Sequence, residues 1–365
     1  MRRHPLVLGA LAVVLAAGAV VAAGSFSVPS QAATVNGVSI SRATLDAQLE
    51  AIADDAAFSC YLAASVAVRS GGLATLPSIS GSATSTFDTA FVDFWLSQQV
   101  DDLLIEGLAA RQHLAIDTGA LDAGRADLTS SINAVLGDAA ASSGQGALCA
   151  PSGAAVVSTL PPSMVATLVR AQAAADLVLS HAAGYGLGPS ELARYFVGHQ
   201  AQFQTICLSA IQVATQATAS AVRAAIEAGE PFAAAATADS TDPTSAAAGG
   251  ALGCYQADDG AYPTVAADVK GLAVGQVSQP VANNGSYLLL LVTGVKPASF
   301  DSVIPAVREA VLSMGSAKAS AELRAFTERA SVVVDPRYGR WSSRSGVGIA
   351  PPATPRPADL LDPGV

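Results

Sequence analysis

An ordered block of motifs between residues 205 and 294 most strongly constrains how this chain can fold. It begins with a strand-like run at 206–213, continues with a helical segment at 217–228 and closes with an apolar, β-rich run at 286–293. Short apolar runs bounded by turn residues are typical of strands, so the block predicts a small unit of sheet and helix. Between the helix and the last strand lie Glu230-Pro231-Phe232, Ser240-Thr241-Asp242-Pro243-Thr244-Ser245 and Gly249-Gly250-Ala251-Leu252-Gly253.

The composition indicates a second folded unit and excludes one class of partner. The 365 residues are 51% apolar and 13% charged, which is enough apolar material for two domains. The net charge is −10, from 19 basic and 29 acidic residues. Nucleic-acid binding needs a basic surface that displaces counterions from phosphates, and the sequence has no basic cluster of that kind. We therefore expect no nucleic-acid partner.

The N-terminal segment resembles an export signal. Arg2 and Arg3 precede an apolar run at 6–24, and small residues follow up to Ala33, with a possible cleavage site after Ala32. This order is typical of a secretory signal, although the apolar run is almost long enough to span a bilayer. Residues 1–33 are thus expected to be a signal peptide or a retained anchor, with membrane contact only through this segment if it is uncleaved. Either alternative predicts an extracytoplasmic protein, secreted or associated with the cell envelope.

Export makes the four cysteines an oxidisable set. Cys60 and Cys149 lie in the first half of the chain, and Cys207 and Cys254 lie in the motif block. Three connectivities are possible, and we favour one bridge in each half because a bridge between halves would require chance proximity. Four reduced, buried thiols are the alternative. Metal binding is disfavoured, since no Cys-x-x-Cys or histidine-rich spacing occurs.

Local signals predict the first elements of the chain. The Asn36-Gly37 pair within 34–40 is typical of a tight hairpin. Ser41 is expected to cap a helix that begins near Ala43.

Further helices are expected on both sides of the motif block. One begins near Phe87 with Thr86 as its cap, one runs from Pro162 to about Ala183, and one covers 300–330. The face of the last helix is expected to carry Val303, Val307, Val311 and Met314.

The motifs of the block, in their order and spacing, resemble the parvulin family of peptidyl-prolyl isomerases. With Val35-Asn36-Gly37 near the start and Val334-Asp335-Pro336 near the end, the chain resembles exported foldases of the SurA/PrsA type. The resemblance implies an α+β fold in which a mainly helical chaperone domain accompanies a parvulin-like domain with a small antiparallel sheet. It implies a helical domain at 34–200, a parvulin-like domain at 204–297, and a C-terminal helix and strand at 298–341 that return to the helical domain. The segment at 342–365 is rich in proline and is expected to be a disordered tail.

The resemblance also places the site. Rotating a prolyl amide requires no nucleophile or metal, because the barrier of ~18–20 kcal/mol comes from amide resonance, and the enzyme must bind the twisted amide better than the planar one. In the family, paired histidines, a polar side chain near the carbonyl and an apolar socket for the proline ring serve this purpose. The histidine positions fall at Ala210 and Tyr287, the cysteine or aspartate position at Asp242, and the socket at Leu252, Ala261 and Val265.

The missing histidines leave three functions open. All four histidines of the chain lie outside the block: His4, His113, His181 and His199. The first hypothesis is an extracytoplasmic chaperone for unfolded or proline-containing polypeptides, with weak or absent isomerase activity. The second is an active isomerase that uses Asp242 and Tyr287 as catalytic groups and Leu252, Ala261, Val265 and Ala210 to bind substrate. The third is a structural cell-envelope protein. None of the three requires a cofactor or a metal.

Overall fold

The computed structural model describes residues 30–83, 86–143, 149–256, 259–342 and 348–352. Most of the predicted signal or anchor segment therefore lies outside the described residues. The strands are β1 Gln31–Val35, β2 Val38–Ser41, β3 Thr205–Val213, β4 Ala251–Tyr255, β5 Val281–Asn283, β6 Ser286–Lys296, β7 Val332–Val334, β8 Arg340–Ser342 and β9 Gly348–Ala350. The α-helices are α1 Arg42–Asp54, α2 Ala56–Arg69, α3 Thr89–Arg111, α4 Thr118–Ser143, α5 Gly153–Thr159, α6 Pro162–Ala183, α7 Pro189–His199, α8 Gln216–Glu227, α9 Phe232–Asp239, α10 Pro243–Ala247, α11 Tyr262–Asp268 and α12 Phe300–Thr327. This arrangement is α+β, as expected.

The N-terminal hairpin forms where the sequence predicted it, and the C-terminal strand joins it. Asn36 and Gly37 both have positive φ angles, +48° and +89°, as a tight two-residue turn requires. Ser41 caps α1 by accepting a hydrogen bond from the Thr44 amide at 2.9 Å. Strand β7 pairs antiparallel with β1, which gives a three-stranded sheet in the order β2-β1-β7. The segment that follows α12 therefore lies beside the first described strand.

The core of the helical region lies around α3. Phe91, Trp95 and Leu96 are fully or almost fully buried. The helix begins at Thr89 rather than near Phe87, because Asp88 is the cap and accepts a hydrogen bond from the Ala90 amide at 2.9 Å. The predicted cap, Thr86, was wrong, since its hydroxyl instead donates to the Ala83 carbonyl.

Helix α12 packs closely against α6. Val307 and Val311 are fully buried, but Met314 is 46% exposed, so its predicted place on the packed face was wrong. The buried face continues at Gly315, where an added Cβ would lie 1.9 Å from the Leu179 carbonyl oxygen of α6. Gly315 is the next position after Val307 and Val311 at a spacing of four residues. It is a glycine because the backbones of α12 and α6 approach too closely there for a side chain.

A buried charge cluster ties α12 to two other helices. The Arg308 guanidinium of α12 pairs with Asp127 of α4 and, at 3.2 Å, with Asp176 of α6. Burial and the neighbouring Asp127 carboxyl raise the pKa of Asp176. Removing one partner from such a cluster would leave a charge buried without compensation.

The motif block forms a separate sheet with helices on both faces. Its four antiparallel strands have the order β4-β3-β6-β5. One face packs against α8 and α9, and the other packs against α11. We call these the α8/α9 face and the α11 face.

Both cysteine pairs form the bridges that the sequence analysis favoured. Cys60 of α2 is bonded to Cys149, and Cys207 of β3 is bonded to its cross-strand neighbour Cys254 of β4. Each bridge therefore lies within one half of the chain.

Part of the predicted disordered tail is ordered. Strand β9 pairs with β8, and Ile349 is 5% exposed. The Ile349 amide donates to the Ser97 hydroxyl of α3 at 2.9 Å, so the hairpin rests on the helical core. The prediction failed because Ile349 supplies a buried apolar anchor within a proline-rich segment.

Within the described part of the chain, no single helix has both the length and the apolar character needed to cross a membrane. Helices α1 and α2 meet these criteria only when taken together, with a bend of 95° between them.

Candidate functional site

The double glycine of the block brings its central loop against strand β3. The Ala210 amide donates to the Gly250 carbonyl at 2.7 Å, and the Gly250 amide donates to the Ser245 carbonyl at 2.7 Å. Gly250 has a φ angle of +88°, and an added Cβ would lie 2.8 Å from the Ala210 carbonyl oxygen. Both the backbone angle and the close approach therefore require glycine here. The loop that carries Asp242 is thus fixed beside Ala210.

Asp242 caps the short helix α10. Its carboxylate accepts hydrogen bonds from the Thr244 amide at 3.2 Å, the Ser245 amide at 3.1 Å and the Ser245 hydroxyl at 2.5 Å. These bonds, with that of the hydroxyl first, lower the pKa of Asp242. The group is therefore an ionised acceptor at neutral pH rather than a proton donor.

Gln212 joins this loop to two strands. Its backbone carbonyl accepts from the Thr241 amide at 2.7 Å, and its amide donates to the Ser240 hydroxyl at 3.1 Å. Its side-chain Nε2 donates to the Ser286 hydroxyl of β6 at 3.0 Å. Gln212 follows Ala210 by two residues, so both side chains lie on the α11 face. These bonds hold Ser240 and Thr241, which precede Asp242, beside Gln212. We call the part of the α11 face at Gln212 and the Asp242 loop its polar end.

Strand alternation separates two positions that the resemblance associates. Ala210 and Leu288 pack in the cluster on the α11 face, whereas Tyr287 packs against the cluster on the α8/α9 face. Tyr287 pairs with Val213 in the β3–β6 register, and Leu288 pairs with Gln212. The β6 side chains on the face of Ala210 and Gln212 are therefore Leu290, opposite Ala210, and Leu288, opposite Gln212. The structure does not bring Tyr287 and Ala210 together.

The three predicted socket residues have different environments. Val265 of α11 is half-buried and packs on the cluster that contains Ala210. Ala261 is exposed immediately before α11, where its amide donates to Asp259 at 2.9 Å. Leu252 is 42% exposed on strand β4, at the edge of the sheet. Val265 is thus the predicted socket residue that the structure packs beside Ala210.

This geometry combines an apolar surface with a polar end that does not titrate near neutral pH. Leu288 and Val265 can contact a proline ring, while the Gln212 amide and the Asp242 loop offer hydrogen bonds to a peptide group. Among the described residues, no group of three or more His, Cys, Asp or Glu side chains is placed to hold a metal ion. Such a surface can bind a prolyl peptide and favour its twisted form without covalent chemistry.

Gln212 and Ser286 were not identified from the sequence. The available signal was a lone glutamine in the otherwise apolar end of a strand, Ala210-Ile211-Gln212-Val213. A polar side chain at such a position needs a partner when it is half-buried, but the partner, Ser286, lies 74 residues away.

Residues 188–305 match the family model of the PPIC-type peptidyl-prolyl isomerase domain. The match includes every predicted catalytic and substrate-binding residue, from Ala210 to Tyr287. The chain therefore contains a parvulin-type domain, and the resemblance carried by the motifs is confirmed for this part of the chain.

This chain is similar to solved structures of foldases and chaperones. PrsA from Bacillus anthracis is 16% identical, with 63% of this chain and 96% of that chain covered and a TM-score of 0.31. One of two SurA-like chaperones from Campylobacter jejuni is 16% identical, with 84% of this chain and 100% of that chain covered and a TM-score of 0.24. The parvulin domain of PpiD from E. coli is 28% identical, with 26% of this chain and 92% of that chain covered, and its TM-score is also 0.24. These TM-scores do not establish a common overall arrangement. No curated protein matches the chain.

Proposed function

We propose that the protein is an extracytoplasmic folding factor that binds extended polypeptide, with a parvulin-type domain of weak or absent isomerase activity. The observation that carries the proposal is the α11 face, where the half-buried Leu288 and Val265 pack with the buried Ala210 beside Gln212 and the Asp242 loop. An extended peptide can place a proline ring on this surface and its backbone groups at the polar end.

Two features of the chain support an extracytoplasmic location. Its N-terminus has the charge and apolar pattern of an export signal. Its four described cysteines form two disulfides, and disulfides persist in oxidising compartments. The Campylobacter jejuni pair includes a protein described as periplasmic, which agrees with this location. We extend the proposal to a membrane contact only through residues 1–33, if they are retained.

The absence of histidine from the block supports weak isomerase activity. Without two imidazoles, the polar end of the α11 face retains the Gln212 amide and the Asp242 carboxylate, which can hold a peptide but offer fewer groups to the twisted amide. Binding the planar and twisted forms almost equally gives affinity without acceleration.

An active isomerase is the second candidate, and the Gln212 hydrogen bonds favour it. The amide is held by Ser286 at 3.0 Å, so it is already oriented before a substrate binds. Preorganised donors of this kind can stabilise a transition state without any change in protonation.

The test measures two activities of the protein that lacks only residues 1–33, the expected signal peptide or anchor. One is the rate of cis-to-trans conversion of a short proline peptide, and the other is suppression of aggregation of an unfolded client. We expect clear suppression and a low isomerase rate. If the isomerase rate is high and Asp242→Ala lowers it about tenfold, the second candidate replaces the first.

Asp239→Ala provides the matched control, because Asp239 is an exposed acidic residue at the end of α9. It should leave both activities unchanged. Failure of the unmodified protein in both assays would reject the folding-factor proposal.

A further inference from the structure

Strand β4 is an edge strand that buries little of its own surface. The strand order β4-β3-β6-β5 leaves one side of β4 unpaired. Its first four residues are exposed, and Tyr255 at its end is half-buried against the cluster on the α11 face. The backbone pairing with β3 is short, and its register shifts between Leu208 and Ser209. Side-chain packing therefore contributes little to holding β4 against the sheet.

The Cys207–Cys254 disulfide provides a covalent attachment for this strand. The two cysteines lie directly opposite each other, Cys207 on β3 and Cys254 on β4. Cys254 is the last residue but one of β4, so the bridge fastens the strand just before the chain continues to α11. Helix α11 carries Val265, which packs on the cluster that contains Ala210. The bridge thus secures the strand that leads into one wall of the proposed binding face.

Both sulfur atoms of this bridge lie where a thiol can approach them. Cys254 is exposed on the unpaired edge, and Cys207 is half-buried. The β6 residue opposite Cys207 is Gly294, where an added Cβ would lie 3.9 Å from the Cys207 sulfur. Because glycine has no side chain, β6 does not cover Cys207 at this position.

The disulfide of the helical region is less accessible. Cys60 and Cys149 are both half-buried. Cys60 lies on α2 two residues from Phe58 and two from Leu62, and both of these side chains belong to the buried helical core. Access to sulfur controls the rate of thiol–disulfide exchange, and exposed disulfides are the more easily reduced ones. The bridge on β4 should therefore be reduced before the bridge on α2.

We propose that the Cys207–Cys254 bridge is a thiol-sensitive lock on the parvulin-type domain, opened by a dithiol reductant. One thiolate of the dithiol attacks the Cys254 sulfur, the bond between the two cysteine sulfurs breaks, and Cys207 leaves as a thiolate that takes up a proton. The second thiolate of the dithiol attacks the reductant's own sulfur in this mixed disulfide and releases Cys254, which is also protonated. The protein gains two electrons and two protons, and the dithiol is oxidised to a disulfide.

Opening the lock loosens β4 and its connection to α11. The hydrogen bond between the Ala210 amide and the Gly250 carbonyl remains, so the loop that precedes β4 keeps its contact with the sheet. The binding face then keeps its residues but loses the fixed position of α11, and lost preorganisation lowers affinity. This regulation of the α11 face rests on the proposed function of polypeptide binding.

The first experiment measures which bridge is reduced. The full chain with both bridges formed is incubated with increasing concentrations of dithiothreitol, and free thiols are alkylated and located by mass spectrometry. Cys207 and Cys254 should be alkylated at a dithiothreitol concentration about tenfold lower than Cys60 and Cys149. Reduction of both bridges together, or of the Cys60–Cys149 bridge first, would overturn the proposal.

Amide hydrogen exchange in the selectively reduced protein measures the release of β4 without any ligand. The amides of β4 should exchange about tenfold faster than in the oxidised protein, while those of α8 should be unchanged. If β4 exchanges at the same rate in both forms, the bridge is not a lock on this strand.

Peptide titration connects the lock to the binding face. Affinity for a capped proline peptide should fall about fivefold on selective reduction. The double variant Cys207→Ala with Cys254→Ala should bind like the reduced protein and should not respond to dithiothreitol. The matched double variant Cys60→Ala with Cys149→Ala should keep the full response.

The outcomes separate the lock from the proposed function. Equal peptide affinity of the oxidised and reduced forms would overturn the control of the binding face by the bridge. If neither form binds the peptide, polypeptide binding at the α11 face is rejected, and the alkylation and exchange measurements alone decide whether the bridge locks β4.

Discussion

The two faces of the parvulin-type sheet are both apolar, but they differ in where their polar groups lie. On the α8/α9 face, Ile211 and Leu289 are fully buried against two alanine-rich helices. On the α11 face, Leu288 is half-buried and adjoins Gln212, whose side chain bonds Ser286. Adjacent residues of one strand thus differ in exposure. Leu289 is fully buried on the α8/α9 face, whereas Leu288 and Gln212 stay half-buried on the α11 face, which we propose as the binding face.

The largest expected difference between the faces is in stability. Leu289→Ala should lower the free energy of unfolding by about 3 kcal/mol, because a fully buried side chain leaves a cavity between the sheet and α8/α9. Leu288→Ala should cost about 1 kcal/mol, since its side chain is already partly in water. Urea unfolding of both variants measures the contrast. Equal losses would contradict the division of the sheet into a core face and a binding face.

A smaller effect is expected where the central loop meets the sheet. Gly250→Ala should destabilise the domain by about 2 kcal/mol, because the added methyl group would contact the Ala210 carbonyl at a positive φ angle. Gly253→Ala is the matched control, with a φ angle of +104° but open space around its Cβ position. It should cost about 1 kcal/mol from the backbone angle alone. Equal costs would mean that the close approach at Ala210 does not hold the loop.

The next contrast concerns ligand binding rather than stability. Gln212→Leu should lower peptide affinity, and any isomerase activity, about fivefold, because it removes the amide at the polar end of the α11 face. Tyr287→Phe should change neither by more than about twofold, since its ring packs on the opposite face. Peptide titration and the proline-peptide assay measure both variants. A large loss with Tyr287→Phe would restore Tyr287 as a catalytic group.

The fold was more predictable than the site, for a physical reason. The Asn36-Gly37 turn and the Ser41 cap depend on neighbouring residues, so a short stretch of sequence is enough to place them. The face on which Tyr287 lies depends on the register of β3 with β6, and a shift of one residue reverses every side chain of a strand. The role of Gln212 likewise depends on Ser286, which only the folded sheet brings near. Asp242 was placed from its motif, and its capping of α10 follows from Pro243 in the first turn.

The smallest expected effect is an absence of pH dependence on the α11 face. Hydrogen bonds from Ser245 and Thr244 lower the pKa of Asp242 below its ordinary value. A carboxyl with a lowered pKa stabilises the folded loop above the pKa that it has in the unfolded chain, and this stabilisation is lost only as the pH falls through the lower, folded value. Because the block contains no histidine, peptide affinity and any isomerase rate should stay constant between about pH 5 and pH 8. A titration of peptide binding over this range, repeated with Asp242→Asn, measures it. A step near pH 6 to 7 in the unmodified protein would mean that a group outside the α11 face controls the site.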